Sequence, residues 1–218
     1  MDPPAPSSVR RPGEGPLLRD GLLEGRVVAI AVSPGADGSA AAREAARRCA
    51  ELGASAPWLK VGPAPEADAE AAVAAVLSEH GRIDAMVGDG LGTFAAALAA
   101  SDAGASALRA CLDGAWNASR AVANAAFIPD ARGGKLIYLA PAAQPGAHPG
   151  RQAARAGLEN MARTLSIEWA RYAICITTIL PGATTAGGVV GDLVAFLASP
   201  AGDYYSGCRF DLDTLAGD

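Results

Sequence analysis

The sequence predicts an α/β fold, a parallel sheet wound on both faces by helices. Three observations predict it: short β-branched apolar runs, alanine-rich stretches of helical period between them, and glycines and prolines gathered at the joints. Residues 26–32, Arg-Val-Val-Ala-Ile-Ala-Val, form a continuous apolar run of the kind a strand buried on both faces requires. A helix follows from Ser39 to Leu52 and stops at Gly53. Trp58-Leu59-Lys60-Val61 is a short strand, a helix spans about 67–79, and Ile83 to Val87 is the next strand. Helical period resumes at Thr93, breaks near Gly104 and continues through Phe127. Lys135–Leu139 is a strand, Gln152–Tyr172 a helix and Ile174–Leu180 a strand, and a helix over Val189–Val194 leads to the last strand. Strand and helix alternate throughout, the Rossmann-type, doubly wound order.

The chain has 218 residues, 50% of them apolar and 19% charged, enough for one complete core. Residues 1–20 read as a Pro-rich, flexible N-terminal extension, and 21–218 as a single domain. The net charge of −5 comes with no block of Lys or Arg, so neither a nucleic-acid backbone nor an anionic membrane is expected as partner. No stretch reaches the ~18 apolar residues a membrane span needs, and the start has no apolar signal segment. A cytoplasmic protein is expected. Cys49, Cys111, Cys175 and Cys208 lack metal-ligand spacing and read as buried thiols, and no metal is expected. His80 reads as the last turn of a helix before a Gly81 cap, and His148 as a loop residue.

Several strings together resemble the short-chain dehydrogenase/reductase family from Leu23 to the C-terminus. They are Leu23-Glu24-Gly25-Arg26-Val27, His80-Gly81-Arg82-Ile83-Asp84, Arg155-Ala156-Gly157 through Pro181-Gly182, Phe196-Leu197-Ala198-Ser199 and Tyr205-Ser206-Gly207. The resemblance implies a fold with one strand-helix unit missing between Gly53 and about residue 67, and with the substrate lid missing after Pro181-Gly182.

In the family a Ser-Tyr-Lys set, completed by an asparagine, passes a proton to or from the substrate oxygen. Aligned with it, this chain has Pro141 (or Ala140) at the serine, Arg151 at the tyrosine, Arg155 at the lysine and Cys111 at the asparagine. A guanidinium has no acceptor lone pair and does not lose its proton near neutral pH, so no catalytic residue is expected here. The family's glycine-rich diphosphate cradle is here Ser33-Pro34-Gly35-Ala36-Asp37-Gly38-Ser39-Ala40. Pro34 and Ala40 replace its outer glycines, while Gly35 and Gly38 can still make the turn. Asp37 can cap the helix amides itself and repel a diphosphate, an effect of roughly 0.3–1 kcal/mol. The resemblance therefore implies no cofactor in this chain. Gly88-Asp89-Gly90-Leu91 replaces the family's Asn-Asn-Ala-Gly. Lys60 is the residue nearest the place of the ribose reader, and no preference for NADP is inferred from it.

The two helices with which family members pair carry apolar stripes, with Leu112 and Trp116 on one and Leu158, Met161, Leu165 and Trp169 on the other. The leading expectation is a catalytically inactive subunit that pairs through these helices with a homologous active dehydrogenase holding NAD or NADP. An acyl thioester is the partner substrate the resemblance implies. Two alternatives stand beside it: an active oxidoreductase with a rearranged site using Tyr138, Tyr172 or Tyr204, and an anion-binding module using Arg151 and Arg155.

Overall fold

The computed structural model describes residues 17–212 apart from 102 and 145. Six strands form one parallel sheet: β1 (Val28–Val32), β2 (Trp58–Lys60), β3 (Ala85–Asp89), β4 (Gly134–Leu139), β5 (Ile174–Leu180) and β6 (Arg209–Asp211), in the order β2-β1-β3-β4-β5-β6. Six α-helices connect and cover it: α1 (Ala40–Glu51), α2 (Glu66–His80), α3 (Gly90–Ser101), α4 (Gly104–Val122), α5 (Pro149–Glu168) and α6 (Gly187–Ala198). The Rossmann-type doubly wound prediction holds.

The apolar runs explain both layers. In β1 the alternating residues divide between two cores: Ala29 and Ala31 face the side covered by α2, α4 and α5, while Val28, Ile30 and Val32 face α1 and α6. Both faces are buried, so β1, β3 and β4 show runs of apolar residues in place of alternation. One helix, α2, joins β2 to β3, so β2 is an edge strand among the described residues. Residues 181–186 alone connect β5 to α6.

The boundaries differ where caps decide them. Ser39 is the N-cap of α1, its hydroxyl accepting from the Ala42 amide at 3.1 Å. Gly81 ends α2 at φ +73, as expected for a glycine following His80. His148 is no idle loop residue: its Nδ1 accepts from the Gly150 amide at 3.0 Å and caps α5, which begins at Pro149. That helix ends at Glu168, and a 3₁₀ turn over Ala170–Tyr172 completes the stretch expected to be helical. The bend expected near Gly104 is the join of two helices, and a π-helical turn, Ala123–Phe127, ends the second. Leu18 is buried in the α1–α6 core, so the folded unit reaches further toward the N-terminus than residue 21. The rest of the extension lies outside the described residues.

Candidate functional site

In an open α/β sheet the ligand crevice lies at the carboxyl ends of the strands, where the winding reverses. Here that point is between β1 and β3, because the chain moves from β1 to β2 on one side and returns to β3 on the other. The loop after β1 supplies one wall and the start of α3 the other.

The crevice is closed by the chain's own residues. Asp89, the last residue of β3, is 2% exposed. One of its oxygens accepts from the Ser39 amide at 2.6 Å, and the other accepts from the Ser39 hydroxyl at 2.7 Å and the Gly92 amide at 2.9 Å. The first contact reaches the N-terminus of α1 and the last the N-terminus of α3, so one carboxylate serves two helix starts. Each presents unpaired amides and the positive end of a helix dipole, the features that make such sites bind diphosphate. Beside it Ser33 Oγ donates to Thr93 Oγ1 at 3.1 Å, a second tie across the gap. A Cβ at Gly92 would collide with the Asp89 carboxylate, so glycine is required for α3 to approach this closely. Beside Asp89 lies a small cavity of about 10 Å³ bounded by residues including Ala31, Val61, Gly88 and Gly114. That is room for about one water, against roughly 300–1,000 Å³ in a ligand pocket.

The diphosphate loop behaves as its two glycines predict, with Gly35 at φ +74 and Gly38 at φ +77. Pro34 and Ala40 are exposed, and Ser33 is half-buried. Gly38 lies against the ring of Trp58, Arg43 donates to the Gly38 carbonyl at 2.5 Å, and the Lys60 ammonium donates to the Ala36 carbonyl. Lys60 thus fastens the loop to β2. The expectation for Asp37 fails: the residue is exposed and Ser39 caps the helix. The internal anion is Asp89. The sequence carried the signal, an Asp directly ahead of a stretch of helical period, which is an N-cap pattern.

The residues aligned with the catalytic set make structural contacts. Arg155 is 8% exposed, and its Nη1 donates to the carbonyls of Pro141 and Pro181, both at 2.8 Å. It ties the ends of β4 and β5 together where the aligned lysine would stand. Arg151 and Arg155, the pair of the anion-binding alternative, differ in setting: Arg155 is buried on carbonyls, and the Arg151 guanidinium lies 5.6 Å from the centroid of the buried Phe94 ring. Cys111 is 1% exposed, its thiol pointing at the Gly90 carbonyl at 3.5 Å, and burial pushes its pKa up to about 12. The adjacent Asp89 charge pushes the same way. Ala140 and Pro141 are buried and carry no hydroxyl.

Tyr138, Tyr172 and Tyr204 lie in three different settings. Tyr138 is fully buried, 2.8 Å from Ser119 Oγ. Because that hydroxyl donates to the Ala115 carbonyl at 2.7 Å, the Tyr138 hydroxyl is the donor between them, and burial holds its pKa above the ordinary phenol value. Tyr172 stacks under Arg171 at the sheet's amino edge, and Tyr204 is 89% exposed.

On α4 and α5 the stripe residues divide. Leu158 and Leu165 are buried in the chain's own core, with Leu158 packed on Gly90. Leu112 covers Gly157 between the two helices, and Leu112, Met161 and Trp169 are half-buried. Trp116 is 38% exposed and stacks on Trp169 with centroids 6.3 Å apart. Of the cysteines, Cys49 and Cys111 are buried as expected, Cys175 is half-buried and Cys208 exposed. Among the described residues no group of three potential ligands could hold a metal, and no helix is long and apolar enough to cross a membrane.

Residues 24–189 match the family model described as Enoyl-(Acyl carrier protein) reductase. A search of curated proteins gives no match. Among solved structures the chain is similar to the citronellol catabolism dehydrogenase AtuB of Pseudomonas aeruginosa PAO1, at 25% identity over 89% of this chain and 96% of that one, TM-score 0.71. It is similar in fold to a short chain dehydrogenase of Mycobacterium smegmatis, at 20% identity over 91% and 97%, TM-score 0.74. A gluconate 5-dehydrogenase of Burkholderia cenocepacia J2315, in complex with NADP and tartrate, shares the fold at 22% identity over 91% and 99%, TM-score 0.70.

Proposed function

This chain belongs to the short-chain dehydrogenase/reductase family, and on that premise we propose that it is a non-catalytic member that pairs with an active NAD(P)-dependent dehydrogenase of the same fold. One observation carries the reading: the Asp89 carboxylate takes up the Ser39 amide at the start of α1, the helix start at which this fold seats a diphosphate, and ties it to the Gly92 amide of α3. Family members bind such a cofactor, and one solved relative holds NADP. The residues present here do not fit it. The Ser39 amide is taken up from within by Asp89, the cavity beside Asp89 is about 10 Å³, and Lys60 is spent on the Ala36 carbonyl. No step of hydride transfer is therefore assigned to this chain.

The pairing is supported by Trp116 of α4 and Trp169 at the end of α5, a stacked aromatic pair of which Trp116 is 38% exposed. A large aromatic left partly exposed suits an interface centre. The description of the matched family supports an acyl thioester as substrate of the active partner. The test is co-expression with the dehydrogenase encoded nearest to it in its genome. The reading expects a stable complex that falls apart in Trp116→Ala with Trp169→Ala. A homodimer indifferent to that dehydrogenase, or turnover of a ketone by this chain alone, would defeat it.

A further inference from the structure

At the opposite edge of the sheet, where the strands begin, a cavity of about 490 Å³ is lined by Arg26, Arg82, Arg132, Lys135, Asp84 and Asp203. Four cations meet two carboxylates there, in a chain whose net charge is −5. Two of the cations are already neutralised. Arg82 donates to Asp84, whose other oxygen accepts from the Val27 amide at 2.9 Å. The Lys135 ammonium lies 2.7 Å from Asp203 and also donates to the Ser199 carbonyl at the end of α6.

Arg26 and Arg132 remain. Neither guanidinium makes a hydrogen bond, ion pair or ring contact among the described residues. Cations gather at this edge of an α/β sheet for an ordinary reason, since helix C-termini with their free carbonyls point toward it. Lys135 fills that role by bonding the Ser199 carbonyl, and Arg26 and Arg132 cap no helix carbonyl. The cavity has the volume of a small-molecule site, and its floor, Lys135, is 6% exposed. Guanidinium groups match the oxygen spacing of phosphate, and two of them flanking a shared cavity provide the charge a polyphosphate needs.

We propose that this cavity is an anion site in which Arg26 and Arg132 hold a diphosphate group. It is independent of the crevice at the other edge, and dinucleotides are kept out of the test so that the two outcomes stay separate. The probes are inorganic pyrophosphate and ADP, titrated calorimetrically into the full chain at low and at physiological ionic strength. Both are expected to bind one per chain, with affinity about tenfold or more weaker in Arg26→Gln and in Arg132→Gln and unchanged in Arg109→Gln, a surface control on α4. Unaltered melting temperatures of the unliganded variants separate loss of binding from loss of fold. Equal weakening by Arg109→Gln would show diffuse attraction and overturn the proposal. So would ADP binding without pyrophosphate binding, which would leave the two arginines no part, and so would the absence of binding by either probe.

Discussion

Replacing Asp89 with Asn tests the internal anion, because the side chain keeps its shape and loses its charge. The carboxylate is 2% exposed and accepts three hydrogen bonds, from the Ser39 amide, the Ser39 hydroxyl and the Gly92 amide. All three donors need an acceptor, and the two carboxylate oxygens supply one on each side. In Asn one of those oxygens becomes an NH2 group facing a donor. A charge-assisted bond contributes about 1.5–3 kcal/mol and a buried donor left unpaired costs about 1–3 kcal/mol, so Asp89→Asn should lose about 2–4 kcal/mol. Asp89→Ala strands both amides and should cost about 3–5 kcal/mol. In a domain of this size each kcal/mol lowers the melting temperature by about 2–4 °C. Urea denaturation measures the loss, and a double-mutant cycle with Ser39→Ala isolates the link between α1 and β3 at about 1–2 kcal/mol. A second readout is specific to the anion: sulfate should restabilise Asp89→Ala by occupying the vacated helix starts, and should leave the unaltered protein nearly unchanged. A loss below about 0.5 kcal/mol in Asp89→Asn, within the range of a surface change, would mean that the carboxylate charge does not hold the two helix starts.

Removing the Arg155 guanidinium by Arg155→Met leaves the Pro141 carbonyl without its donor, while the Pro181 carbonyl keeps the Ala143 amide, and should cost about 1–3 kcal/mol in urea, with Arg155→Lys intermediate. Cys49 and Cys111 have pKa values pushed by burial from 9.0 up to about 12, so the folded chain keeps protons that the unfolded chain releases. Stability is therefore full below pH 9 and falls as pH rises toward 12. At about pH 10 the loss is about 1.4 kcal/mol per thiol, and it should vanish in Cys49→Ala with Cys111→Ala. Lys135, whose pKa burial lowers, gives the opposite slope but is common to both proteins and cancels in the comparison. A thiol reagent should label Cys208 first, Cys175 more slowly, and Cys49 and Cys111 only on unfolding.

The sheet was legible because each strand writes its own burial: Val28 to Val32 and Leu136 to Leu139 are apolar on both faces, and only a doubly wound parallel sheet hides both. The missing strand-helix unit was legible from chain length between Gly53 and α2. That neither Arg151 nor Arg155 can accept a proton was legible from residue type alone. What the arginines do instead was not, because the carbonyls that hold Arg155 lie 14 and 26 residues away, on two separate strand ends. Likewise, Asp37 is adjacent to α1 in sequence and Asp89 is 50 residues from Ser39, yet the second is the one that reaches it. Local capping rules favour the neighbour. The parallel pairing of β1 with β3 overrules them by setting the end of β3 beside the start of α1. On α4 and α5, spacing identified apolar stripes, but packing of Leu158 on Gly90 decides that it faces inward while Trp116 stays half in solvent.

If, as proposed, Asp89 holds the place of the dinucleotide, this chain takes up neither NADH nor NADPH. Titration with NADH and NADPH, read by energy transfer from Trp58 after Trp116→Phe and Trp169→Phe, reports on that place, since the Trp58 ring lies on Gly38 of the closed loop. No transfer at millimolar nucleotide is the result predicted, and a saturable signal with one nucleotide per chain would contradict the account.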